Sequence, residues 1–167
     1  TWRAMADKTL VERLQPSLLD RLTDSDPGNP KETRETRVID IVRLREIVQR
    51  DLSWLLNTNS MESMIEDPED YPNVLSSVLN YGVREVSGEF STVRRADLIR
   101  ASIEGAITVF EPRIVPGSAM VDLHPEEKGA DMFVSFDIRA AMWTQPVPLE
   151  LYLRSRVDVT TGEVELE

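Results

Sequence analysis

The 167-residue chain carries 30 acidic against 19 basic side chains, a net charge of −11, with 41% hydrophobic residues and no cysteine. That apolar content suffices for one packed core, whereas the charge disfavours phosphate backbones and anionic membrane surfaces as partners. Without cysteine there are no disulfides, thiolate nucleophiles or cysteine-ligated metals, and no apolar run approaches the roughly 20 residues of a bilayer span, so the chain reads as soluble and intracellular.

The elements follow in order. Leu10, Leu14, Leu18 and Leu22 recur at four-residue steps, but Pro16 interrupts the pattern, which leaves Ser17 to Leu22 as the dependable helical part. Asp24 to Glu35 holds Pro27, Gly28, Asn29 and Pro30 among charged residues and reads as a linker. Residues 1–35 are therefore expected to form an N-terminal helical arm with a flexible linker, and residues 36–167 a separate folded domain. Thr36 can cap a long helix whose apolar face is Val38, Ile41, Leu44, Val48, Leu52 and Leu55. Residues 60–73 form an acidic loop closed by Pro68 and Pro72, and Asn73 to Tyr81 predicts a short helix ended by Gly82. A third helix starts at Ser91 or Thr92, carries Ala96, Ile99, Ile103, Ala106 and Phe110 on one face, and stops at Pro112.

The last third changes period. Met132 to Trp143 and Val147 to Arg154 alternate as strands, an earlier strand covers Arg113 to Leu123 with a bend at Pro116-Gly117, and a final hairpin turns at Thr161-Gly162. Helices followed by strands imply an α+β fold: an antiparallel sheet of three to five strands from the C-terminal half, packed by N-terminal helices on one face. The charge is also uneven, because residues 1–60 balance 10 basic against 10 acidic side chains and residues 61–167 set 9 against 20.

Catalytic patterns are sparse. His124 is the single histidine, so a metal site would have to assemble from Asp122, His124, Glu126 and Glu127, a donor set poor in nitrogen; no metal is expected. No Gly-x-Ser-x-Gly elbow, dinucleotide fingerprint or phosphate-binding loop occurs, so neither a catalytic residue nor a cofactor is assigned. A carboxylate pair of the kind that cleaves sugars remains as the alternative, a lysozyme-like peptidoglycan hydrolase, though 30 acids make some suitably spaced pair inevitable.

The most pointed feature is Phe110-Glu111-Pro112-Arg113, where helix gives way to strand. Read as an extended segment, it turns Glu111 and Arg113 to one side and displays a carboxylate beside a guanidinium at a rigid corner. Two readings stay open: a docking device, or a local surface ion pair worth about 0–1 kcal/mol. An uncovered strand edge is a further candidate for docking.

The run Arg50-Asp51-Leu52-Ser53-Trp54-Leu55-Leu56-Asn57-Thr58 is followed by Leu79-Asn80-Tyr81-Gly82-Val83, then Phe110-Glu111-Pro112-Arg113-Ile114, then Phe136-Asp137-Ile138. In this order they resemble the type VI secretion baseplate wedge subunit of the TssE type, a relative of the gene-product-25-like wedge proteins of contractile phage tails. The resemblance covers roughly residues 36–167, and the leucine-rich arm suits the family's start. It implies a noncatalytic structural part that links the wedge to the contractile sheath and helps nucleate the sheath around the inner tube by strand exchange. Expected partners are TssF-, TssG- and TssK-type wedge proteins and TssB/TssC-type sheath subunits, with the inner tube as a further neighbour. No nucleic acid and no direct membrane insertion are expected, and the implied location is a cytoplasmic, membrane-docked baseplate. Phe110, Glu111, Pro112 and Arg113 become expected interface residues.

Overall fold

A computed structural model describes residues 17–23, 27–28, 41–84, 92–123, 133–143, 148–158 and 161–166. Its helices are α1 (Leu18–Leu22), α2 (Ile41–Leu56), α3 (Pro72–Leu75) and α4 (Thr92–Phe110), and its strands are β1 (Met120–Leu123), β2 (Phe133–Met142), β3 (Leu149–Asp158) and β4 (Val164–Leu166). The strands form one antiparallel meander in the order β1-β2-β3-β4, so the fold is α+β with mostly N-terminal helices and a sheet from the C-terminal half.

Period decides the layers. Along β2 and β3 the alternation turns Phe136, Ile138, Ala140 and Met142, and Leu151, Leu153 and Val157, toward one face, where all are buried. The facing helices contribute Leu44, Val48, Leu52, Leu55 and Leu56 from α2 and Ala96, Ile99, Ile103, Ala106 and Ile107 from α4. Both stripes match the expected faces except at their ends, where Ile41 is exposed and Phe110 half-buried. Ser155 lies on the inner face against Phe136, and its hydroxyl donates to the Phe136 carbonyl at 3.2 Å, which removes the cost of an orphaned buried hydroxyl.

Three local differences from the sequence reading have physical causes. The strand expected over Arg113 to Leu123 is split: Ile114 bridges Met142, the chain turns at Gly117 (φ +75°), and β1 then pairs with β2 from Met120. Ser118 spans the gap, its hydroxyl accepting the Ala141 N–H at 3.0 Å. The helix expected from Asn73 to Tyr81 breaks into α3 and a 3-10 turn, Val78–Asn80, because Ser77 caps a new start by accepting the Leu79 N–H. The acidic loop before it contains two further 3-10 turns, Met61–Met64 and Pro68–Asp70. The helical pattern before Ser17, the Thr36 cap and Val38 lie outside the described residues.

The two sides of the sheet end differently. On the β4 side, the Asn57 carboxamide acts as one residue of an extra strand: it accepts the Val164 N–H and donates to the Val164 carbonyl, both at 2.8 Å. Gln49 donates to Leu166 beside it. On the β1 side, Glu104 of α4 accepts the Val121 N–H at 3.1 Å. Between them, β3 outruns β4, which pairs only with Ser155 to Val157.

Candidate functional site

The 57–84 excursion begins and ends side by side. Val83 donates to the Thr58 carbonyl and Ser60 to the Val83 carbonyl, each at 2.8 Å, so Asn57-Thr58 and Tyr81-Gly82 meet. Gly82 has φ +128°, and a Cβ there would lie 2.2 Å from the Thr58 oxygen. Only glycine combines that backbone angle with so close an approach. Tyr81 is thereby held against Phe110, ring edge to ring face, at 5.5 Å between centroids.

Phe110 ends α4, and the next four residues close a turn in place of the expected extended segment. Ile114 N–H donates to the Glu111 carbonyl at 3.1 Å, with Pro112 at the second position, where its fixed φ suits the turn. The turn, rather than strand alternation, brings Glu111 and Arg113 together. Oε1 of Glu111 accepts both the Arg113 N–H at 3.0 Å and its Nε–H at 2.6 Å, and Oε2 accepts from Nη2. Arg113 Nη2 also reaches Asp51 of α2 at 2.7 Å. On the other oxygen of Asp51, Arg50 donates through Nε and Nη2 at 2.9 and 2.6 Å, and its Nη1 donates to Asp20 of α1 at 2.7 Å. Arg50 also lies over the Trp54 ring at 4.8 Å.

Five charges thus alternate in one line: Glu111, Arg113, Asp51, Arg50, Asp20. They tie the end of α4, the middle of α2 and α1. Glu111 is 5% exposed, so this is not the freely solvated pair that a surface reading supposes. Burial opposes the charge on Arg113, but its bonds to Glu111 and Asp51 outweigh that and raise its pKa well above the usual guanidinium value. The bond to Asp20 likewise raises Arg50. Burial pushes the Asp20 carboxyl up, yet the hydrogen bonds from Arg50 and Ser17 prevail and leave it lowered. Tyr81 is raised by burial and then by the Asp51 and Glu111 charges. Guanidiniums locked in the charged form hold geometry; they do not relay protons. A sugar-cleaving acid needs a raised carboxyl, the opposite of Asp20.

Of the four expected interface residues, Pro112 is exposed, Phe110 and Arg113 are half-buried, and Glu111 faces inward. The corner thus presents Pro112 and the outer part of Arg113, with Glu111 setting their position. Three of the four quoted motifs converge here. The fourth lies in the sheet, where Asp137 accepts the Tyr152 hydroxyl at 2.9 Å on the face away from the helices. Asp122 lies opposite Asp137 on β1, whereas His124, Glu126 and Glu127 fall outside the described residues. Among the described residues no three His, Asp or Glu side chains gather as metal ligands, and no helix is long and apolar enough to cross a membrane.

Sequence reasoning missed Asp51, Arg50 and Asp20 as members of the corner, and Asn57 as the edge cap. Three of these sit inside the quoted Arg50 to Thr58 run, so the signal was present as a motif without its geometry. Asp20, 30 residues before Arg50 in the chain, had none.

Compared with known families, residues 42–147 match the model described as baseplate wedge protein gp25, a region running from α2 past the end of β2. Neither curated proteins nor solved structures yield a match.

Proposed function

Since the chain belongs to the family of baseplate wedge protein gp25, a structural baseplate component, we propose that it serves in a type VI secretion wedge and joins that wedge to the contractile sheath. The observation that carries this reading is the stretch of β3 that no described strand covers. In an antiparallel ladder alternate residues turn both N–H and C=O to the same side. Asp158 N–H donates to Glu163 across β4, so Arg156, Arg154, Tyr152 and Glu150 face the same way. Beyond Ser155 no described strand lies there, and Arg45 reaches in to the Glu150 carbonyl at 3.3 Å. This edge offers main-chain groups to a strand from a sheath subunit of the TssB/TssC type, and so starts the sheath around the inner tube.

The second contact in this reading is the corner. Pro112, Phe110 and Arg113 meet a wedge neighbour of the TssF, TssG or TssK type, held in place by Glu111. The assembled location is a baseplate docked at the cytoplasmic side of a membrane. No catalytic step is assigned, and no observation favours sugar hydrolysis.

Amide hydrogen exchange of the chain mixed with its sheath subunits tests the edge directly. Tyr152 and Arg154 amides are expected to become protected; unchanged exchange in a mixture that does form a complex would overturn the strand-docking reading. Copurification of Pro112→Glu with the TssF- and TssG-type proteins tests the corner, and wild-type recovery would remove it from the interface.

A further inference from the structure

The excursion between Asn57 and Arg84 does more than return the chain. Residues 61–83 contain five carboxylates (Glu62, Glu66, Asp67, Glu69 and Asp70) and no basic residue. Glu62 meets Arg84 at 3.6 Å; the other four are exposed, and no ion pair forms on them among the described residues. The same stretch exposes Met64 (78%), Val78 (83%) and Leu79 (65%), along with Met61 and Tyr71. Met61–Met64 packs against Val78–Asn80, so these apolar side chains share one lobe. Single exposed apolar residues are ordinary, but five on one lobe of 23 residues, together with four exposed carboxylates that form no ion pair among the described residues, give it a chemical signature.

The backbone narrows the kind of partner. Ile65, Asp70, Tyr71, Val74, Leu75, Ser76, Asn80 and Tyr81 all spend their N–H groups on short turns within the lobe. No strand edge is offered, so recognition must run through side chains. A lobe that exposes apolar side chains and carries unbalanced negative charge complements a helix with one apolar stripe and a lysine- or arginine-rich flank.

We propose that the 61–81 lobe is a docking surface for a basic amphipathic helix of a partner protein, through Met64, Val78 and Leu79, with Glu66, Glu69 and Asp70 facing its cations. This surface adjoins the corner through Tyr81 but uses none of its charged residues, and it holds whether or not the sheath reading does. Its contacts are hydrophobic at the centre and screened by salt at the rim.

The probe is a fluorescent peptide of leucine and lysine at helical spacing, with a leucine–glutamate counterpart, titrated into the full chain. The lysine peptide is expected to bind and the glutamate peptide not to. Val78→Ser combined with Leu79→Ser keeps the charge at −11 and removes exposed side chains, and should weaken binding about tenfold, or 1.4 kcal/mol. Glu66→Gln with Glu69→Gln should flatten the salt dependence. Binding of the lysine peptide undiminished by the serine pair would reduce the effect to general attraction by an acidic surface and overturn the proposal. Sedimentation showing a dimer that the serine pair dissolves would overturn it too, in favour of a second copy as the occupant.

Discussion

The corner at Glu111 and the lobe at residues 61–81 use acidic residues in opposite ways. At the corner three carboxylates are matched by two guanidiniums in a partly buried line. On the lobe, four carboxylates stand in solvent without an ion pair among the described residues, beside the exposed side chains of Met64, Val78 and Leu79. Burial makes the difference. A charge withdrawn from water must be compensated where it sits, whereas an exposed one is free to attract something else. The corner is therefore expected to govern stability and the lobe only association.

Removing Arg113 tests that contrast most severely. Arg113→Ala leaves Glu111 buried without its bidentate donor and withdraws one partner from Asp51. The expected loss is about 3 kcal/mol, the low end for a broken buried pair because Arg113 keeps some solvent contact. Met64→Ser on the lobe should stay within about 0.5 kcal/mol of wild type. Urea midpoints of the two variants decide the matter: equal stabilities would mean that the corner is a surface decoration after all.

Gly82→Ala probes the seam between the two regions. The substitution puts a methyl group 2.2 Å from the Thr58 oxygen at a φ that side chains rarely adopt, so the paired bonds of Val83 and Ser60 must shift. A cost of about 1–3 kcal/mol follows from backbone strain. If the seam anchors both regions, the same variant should also lower the Tyr81 titration, since Tyr81 leaves the burial and the Asp51 and Glu111 charges that raise it. A stable variant with the Tyr81 titration unchanged would show the seam to be pliable.

How much of this the sequence disclosed depended on whether a periodicity carried it. Alternation identified the core faces of β2 and β3, and three- and four-residue steps identified those of α2 and α4, because burial on one face leaves a repeating mark. The corner left none. Glu111 and Arg113 stand out beside Pro112, but nothing local says that Asp51, 62 residues away, shares Arg113, or that Asn57 closes the β4 edge. Such links depend on tertiary placement, and a motif order can signal them without explaining them. The helix expected from Asn73 to Tyr81 failed for a related reason: Ser77 offered its side chain to the backbone, and a local cap won over the apolar spacing.

The smallest expected effect lies at the end of the charge line, where α1 is held. Leu18, Leu19 and Leu22 are all exposed, so apolar packing contributes little to its docking, and the Asp20 to Arg50 bond carries the contact. The Asp20 carboxyl is lowered in the folded chain, so its contribution is fully present above the ordinary aspartate value of 3.8 and is lost as pH falls through the lower folded value. Acid should therefore release α1 before it disturbs the sheet, seen as loss of protection at the Arg21 and Thr23 amides while β2 and β3 amides stay slow. Asp20→Asn should abolish that step and leave both α1 amides fast already at neutral pH, with Arg50 still bound to Asp51 and the urea midpoint nearly unchanged. If the acid step survives in Asp20→Asn, the Asp20 carboxyl is not what releases α1, and the line of five charges works as one unit instead of a buried pair with a detachable end.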